Sequence, residues 1–228
     1  MNERLQLEKI SVVSSILGCF IGASVTVILV CPLSLSSLSW FIWIASLCVV
    51  HLLEFILTAR MQPNLVTIDS FLLNHSREYH IALCAAASEY WLERLLVPHL
   101  KGSLFLFFLG LAMVSGGQAI RSLAMYTAGS NFTHQVADEH ATGHILVKGG
   151  IYSLLRHPAY FGWFWWSIGS QVLLGNPICL VLYSIASWSF FANRIPYEEQ
   201  TLSKFFGDEY IRYARRTIIG IPFIKSKF

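Results

Sequence analysis

The sequence predicts an all-α, polytopic membrane protein with about six transmembrane helices, and three observations predict it. The composition is 55% hydrophobic and only 13% charged, with a mean hydropathy of +0.57, whereas an ordinary soluble domain carries about 25% charged residues. Apolar runs recur at the length needed to cross a bilayer. Lys and Arg gather on one side of those runs.

The elements follow in order. Residues 10–31 contain no charge and can span a hydrocarbon core of roughly 30 Å. The run is too long for the apolar region of a signal peptide and is followed by no small-x-small cleavage pattern, so it reads as a retained helix. Residues 38–58 form a second run, with His51 and Glu54 near one end. Residues 80–97 form the weakest, because Glu89, Glu93 and Arg94 interrupt it. Residues 102–126 are apolar apart from Gln118 and Arg121, and two shorter runs, 158–174 and 178–193, flank a "GNP" turn. The aromatic stretch "FGWFWW" (Phe161–Trp166) is expected to face lipid. Residues 66–80 are compatible with a half-helix, a surface helix or a loop.

With the N-terminus in the cytosol, fourteen of the sixteen Lys and Arg residues fall on or near the cytosolic side, with only Arg94 and Lys101 opposite. Such a bias sets membrane orientation. Region 127–157 and the tail 194–228 then share the cytosolic compartment. The five cysteines lie in or beside apolar runs without CxxC spacing, which reads as free thiols packed as small hydrophobes. The net charge of +3 is small and dispersed, which argues against a nucleic-acid partner.

The chain divides near residue 127 into a four-helix region, 1–126, and a region, 127–228, where the unusual polar residues concentrate. In "GHILVKGGIYSLLRHPAY", Pro158 suits the first turn of a helix. That places Arg156 and His157 just outside the helix and Tyr160 on its first turn. A helix start with an interfacial aromatic belt explains these residues; a binding site explains the density of His144, Tyr152, His157 and Tyr160. His134, His140, His144 and His157 could be metal ligands, but no carboxylate completes a set, so no metal is expected. In "NRIPYEEQ", Arg194 and Glu198 share a face if the helix continues through Pro196. They are then either a surface ion pair or a clamp for a carboxylate with a partner for a cationic or polar cofactor group. The basic stretch "GDEYIRYARR" suits a membrane surface helix.

The elements "GIYSLLRHPAYFGWFWWSIGSQVLLGNPIC", "SFFANRIPYEEQTLSKFFGDEYIRYARR" and "GIPFIK" resemble eukaryotic isoprenylcysteine carboxyl methyltransferases over residues 129–225. With one apolar run before residue 32, the chain resembles a short form of that family. The resemblance implies a multi-pass enzyme of the endoplasmic reticulum membrane with both termini cytosolic. It implies S-adenosylmethionine as cofactor, in a cytosol-facing pocket formed by the C-terminal half. Its implied partners are membrane lipid and processed CaaX proteins bearing a farnesyl or geranylgeranyl group, whose terminal prenylcysteine carboxylate is methylated. Carried over residue by residue, it puts His144, Ile145, Leu146, Val147, Tyr152, His157, Tyr160, Glu198 and Gln135 on the cofactor and Arg194 on the substrate carboxylate, with Arg194 and Glu198 as the catalytic pair. The chemistry is compatible: a C-terminal carboxylate with a pKa of about 3.3–3.7 is ionised at neutral pH and needs no base, so positioning must do the work. Alternatives are a phospholipid N-methyltransferase, a nicotinamide-dependent membrane reductase, disfavoured because no GxGxxG is present, and a membrane scaffold.

Overall fold

The computed structural model describes residues 3–74, 76–136, 143–225 and 228. Seven α-helices follow one another: α1 (Glu3–Val30), α2 (Leu35–Met61), α3 (Arg77–Leu96), α4 (Leu104–Ala128), α5 (Pro158–Leu174), α6 (Pro177–Phe206) and α7 (Asp208–Ala214). Among the described residues the one extended pairing is a parallel bridge between Leu155 and Ile218. Serines start three of the helices. Ser34, Ser76 and Ser103 each accept from the backbone N–H three residues on, satisfying a donor that a helix start otherwise leaves open.

Among the described residues four helices are long and apolar enough to cross a membrane: Gln6–Val30, Leu35–Met61, Leu104–Asn131 and Pro177–Phe206. The sequence predicts about six. The difference has two causes. Glu89, Glu93 and Arg94 lower the hydropathy of α3, and the 17 residues of α5 reach only about 25 Å at 1.5 Å per residue.

Nor does α5 face lipid along its aromatic stretch. Phe164 and Trp166 are each 4% exposed, and twelve of the helix's 17 residues are buried. Glycines explain this depth. Gly110 and Gly117 on α4 and Gly162 and Gly169 on α5 recur at a spacing of seven, and a Cβ on any of them would lie 2.3–2.7 Å from an atom of the facing helix. The two antiparallel backbones therefore touch, as small residues permit in membrane helices. By contrast, Gly18 and Gly22 on α1 face nothing within 4 Å.

The helix that begins after the "GNP" turn does not stop at Asn193. α6 runs unbroken through Pro196 to Phe206, and at 30 residues it is about 45 Å long, well beyond a bilayer core of roughly 30 Å. Its start is anchored by a polar cluster. Glu89 accepts from the Ile178 and Cys179 N–H groups at 2.6 Å each, where the helix dipole favours a carboxylate. Asn176 donates to Ala86 O at 2.9 Å, and Lys101 donates to Asn176 Oδ1 at 2.7 Å and to Gly175 O at 2.9 Å while pairing with Glu93 at 2.6 Å. Two of the charges that weaken α3 as a membrane run, Glu89 and Glu93, belong to the cluster that holds the start of α6, and the third, Arg94, donates to Ser36 and Ser37 of α2.

The opposite end collects the C-terminal ends of α2 and α4, the start of α5 and the last turns of α6. Residues 66–74 form a turn built on the 3₁₀ segment Ile68–Phe71, not a half-helix, and residues 77–80 belong to α3. Ile68 N–H donates to Gln6 Oε1 at 3.3 Å, so the N-terminal end of α1 lies at this same end.

Candidate active site

Two cavities open at that end. The first is lined by Asn131, His144, Ile145, Leu146, Val147, Tyr152, Arg156, His157, Tyr160, Glu198, Leu202, Phe205, Phe206, Tyr210 and Tyr213, among others. The second is lined by Asp69, Leu72, Asn74, Arg121, Phe132, Thr133, His134, Gln135, Tyr160, Trp163, Phe190, Phe191 and Arg194. Phe132, Thr133 and Tyr160 line both and form the wall between them.

Eight of the nine residues expected at a cofactor converge on the first cavity. Gln135 does not: it lines the second, with Arg194, because residues 129–135 turn under the end of α2. There Gln62 Nε2 donates to Gly129 O at 3.2 Å and Phe132 O at 2.5 Å. The segment 144–147 is held to the same turn through Ile145 N–H, which donates to Asn131 Oδ1 at 3.0 Å. Lys148, next in the chain, pairs with Glu209 of α7 at 2.5 Å.

His157 stacks on Tyr160, ring centroids 5.5 Å apart and planes 6° apart. Its Nδ1 lies 3.7 Å from Glu198 Oε2 and its Nε2 3.4 Å from Glu199 Oε1. Glu198 Oε2, His157 Nε2 and Tyr210 Oη are buried and find no hydrogen-bond partner among the described residues. Burial of such atoms costs free energy unless something pairs with them. Tyr152, beside them, has its phenol pushed up, first by burial and then by the Glu198 carboxylate, so it stays a neutral donor.

Arg156 also lines the first cavity. It is 7% exposed, and donates to Glu199 Oε1 at 2.5 Å, Thr217 O at 2.5 Å and Ala214 O at 3.3 Å. Together with the Leu155–Ile218 bridge it ties the tail beneath the first cavity. The sequence reading passed over Glu199, although an arginine at a helix entrance and a second acid beside Glu198 hint at such a pairing.

In the second cavity Arg194 is held on two sides. Its Nε donates to Tyr160 Oη at 2.8 Å, one Nη2 donates to the His134 carbonyl, and its guanidinium lies 5.4 Å from the Tyr160 ring centroid and 5.6 Å from that of Phe190. Both Arg194 and Glu198 sit on α6 one turn apart, yet they point to different cavities. They are not an ion pair. Leu72, Trp163, Phe190 and Phe191 give the second cavity apolar walls, and Asp69, Leu72 and Asn74 come from the stretch the sequence left undecided. No group of three His, Cys, Asp or Glu residues among those described could hold a metal ion; His140 lies outside the described residues.

A multi-pass helical membrane protein whose two cavities, each lined by both charged and apolar side chains, meet at a shared wall suits an enzyme that brings two reactants together. Comparisons with known proteins give the particular family. The sequence pattern of the isoprenylcysteine carboxyl methyltransferase family matches residues 109–204. Protein-S-isoprenylcysteine O-methyltransferase of Xenopus laevis is 44% identical, covering 98% of this chain and 76% of that protein. The Homo sapiens protein of the same name is 45% identical, covering 93% and 75%, and that of Saccharomyces cerevisiae 40% identical, covering 97% and 93%. A solved structure described as the eukaryotic intramembrane Ras methyltransferase superposes with a TM-score of 0.90 at 39% identity, over 95% of this chain and 77% of that one. The chain belongs to the isoprenylcysteine carboxyl methyltransferase family.

Proposed function

We propose that this chain methylates the C-terminal α-carboxylate of farnesyl- or geranylgeranyl-cysteine on processed proteins, using S-adenosylmethionine bound in the first cavity and the prenylcysteine bound in the second. The observation that carries this reading is the shared wall, with the carboxylate of Glu198 on one side of Tyr160 and the guanidinium of Arg194 on the other.

The first cavity fits the cofactor. Glu198 brings a negative charge with an unpartnered buried oxygen, and Leu146, Leu202, Phe205 and Phe206 bring apolar and aromatic faces. His144, Ile145, Leu146, Val147, Tyr152, His157, Tyr160 and Glu198 would hold it. When bound, it supplies a methyl group on a cationic sulfonium. Gln135 is better placed for the acceptor.

Arg194 stays cationic at any working pH and can orient the acceptor carboxylate without competing for a proton. Its Nε and one Nη2 hydrogen are engaged; among the described residues nothing takes Nη1, which leaves that nitrogen for the acceptor. No general base is required, because the acceptor is already an anion. Catalysis then rests on holding the oxygen in line and limiting water, effects that supply several kcal/mol when the reacting atoms are held about 3–3.5 Å apart. Leu72, Trp163, Phe190 and Phe191 receive the start of the prenyl chain. An amine acceptor, as in a phospholipid methyltransferase, would gain nothing from Arg194.

In this reading residues 127–228 carry most of the catalytic centre. α3 and α5 complete six membrane helices around the four long ones, with membrane lipid at their outer faces. The family resemblance supports the endoplasmic reticulum, and the placement of Lys and Arg supports cytosolic termini. The test is radiolabelled methyl transfer from S-adenosylmethionine to N-acetyl-S-farnesylcysteine by purified protein, with N-acetylcysteine as control. Base-labile ester on the prenylated acceptor alone is expected. Cofactor binding without that product would overturn the acceptor assignment.

A further inference from the structure

Arg194 is held by a backbone carbonyl, and that carbonyl is itself held from inside the membrane. Glu54, 1% exposed near the end of α2, accepts from Arg121 Nε through Oε1, and its Oε2 lies 2.9 Å from His134 Nε2. The carbonyl of the same His134 receives a hydrogen bond from Arg194. His134 therefore has two ends, an imidazole on the buried acid and a carbonyl on the proposed substrate clamp. No other residue in the turn 129–135 joins α2 to Arg194 in this way; Gln62 fixes the turn only at Gly129 and Phe132.

The arrangement is costly to build. A carboxylate at this depth loses its hydration and persists only with charged or hydrogen-bonding partners. Arg121 alone would neutralise it, yet the second carboxylate oxygen is spent on a loop histidine whose side chain is 29% exposed. Loop backbone is ordinarily the softest part of a site, and a clamp resting on it would lose its aim. Anchoring the loop to a helix removes that freedom.

We propose that His134, braced by Glu54, is a positioning residue that fixes which edge of Arg194 faces the acceptor carboxylate. This rests on the reading of Arg194 as the carboxylate contact. The imidazole is taken up by Glu54 and acts through the carbonyl and the guanidinium. His134→Ala keeps the carbonyl and the Glu54–Arg121 pair but releases the loop. His134→Gln keeps an N–H donor of similar reach.

The experiment measures binding of N-acetyl-S-farnesylcysteine and of its carboxamide, which lacks the anion, to the full-length protein in detergent. For His134→Ala, carboxylate affinity is expected to fall about tenfold, the size of one misaligned charge-assisted hydrogen bond. Carboxamide affinity should stay within about twofold, and His134→Gln should restore most of the loss. Equal loss for both ligands, no loss for either, or failure of the Gln variant to restore binding would overturn the brace. Arg194→Ala run alongside separates the two levels. If it weakens carboxylate and carboxamide alike, the clamp falls and the brace with it; if it discriminates while His134→Ala does not, only the brace falls.

Discussion

The two ends of the helix bundle handle buried charge in opposite ways. At the end where α6 begins, charges are consumed by the fold. Both oxygens of Glu89 are taken by helix N–H groups, and Lys101 is surrounded by Gly175, Asn176 and Glu93. At the other end, beside the completed Glu54–Arg121–His134 and Arg156–Glu199 sets, some groups are left incomplete: among the described residues Glu198 Oε2 and His157 Nε2 have no hydrogen-bond partner, and Arg194 keeps a free edge. An incomplete polar group in a dry place is a standing cost, and a fold keeps it where a ligand completes it. The same residue types mean structure at one end and chemistry at the other.

Removing a charge from the completed end should therefore cost stability and spare affinity. Glu89→Ala strands one buried and one part-buried N–H donor and leaves the helix start uncompensated, a loss of about 3 kcal/mol. For a chain of this size that corresponds to a fall in Tm of roughly 6–12 °C. The surviving folded fraction should bind S-adenosylmethionine within about twofold of normal. Thermal melts in detergent with isothermal binding decide it; a normal Tm would mean the carboxylate does not anchor α6.

At the incomplete end the reverse holds. Arg194→Lys keeps the charge but replaces a planar, two-sided donor by a point charge. A loss of roughly 2–3 kcal/mol of positioning, about 100-fold in kcat/KM for the prenylated acceptor, is expected, with Tm changed by less than about 2 °C. Near-normal turnover would remove the clamp. Glu198→Ala should act on the other cavity, weakening cofactor affinity about tenfold while acceptor binding holds. If acceptor affinity fell instead, the division of labour across Tyr160 would be wrong.

How much of this contrast was legible in the sequence depended on whether the signal was local. The clustering of His144, Tyr152, His157, Tyr160, Arg194 and Glu198 was visible from composition along the chain. That Arg194 and Glu198 face separate cavities was not, because one helical turn says nothing about what wall stands between two side chains. "FGWFWW" misled for a physical reason: a helix apolar all round suits lipid and protein interior equally well, and the deciding signal was the seven-residue spacing of glycines on α4 and α5. Glu89 and Glu93 looked like flaws in a membrane run, since the sequence could not show that the start of α6 lies against them. Residues 66–74, built from short turns, carried no periodicity to read, although Asp69, Leu72 and Asn74 line the second cavity.

The smallest effect sharpens the contrast, because it tests a charge pair that belongs to neither end's interior. Lys148 and Glu209 pair at 2.5 Å with side chains about half exposed, 48% and 49%. They join the segment after Val147 to α7. The lysine holds the Glu209 carboxyl below its ordinary value of 4.5, first by the hydrogen bond and then by its charge. Exposed pairs contribute little and are screened by salt. A folded-state pKa that is lowered means the contribution is complete above the ordinary value and disappears as the pH falls through the lowered one. The Tm difference between the native chain and Lys148→Met should therefore be small and constant from about pH 8 to pH 5, shrink below about pH 4.5, and diminish in high salt. Affinity for S-adenosylmethionine should change by less than about threefold. A large, salt-insensitive loss of cofactor binding would instead place Lys148 inside the first cavity's chemistry, and the line between structural charge and functional charge would have to be drawn one residue further along the chain.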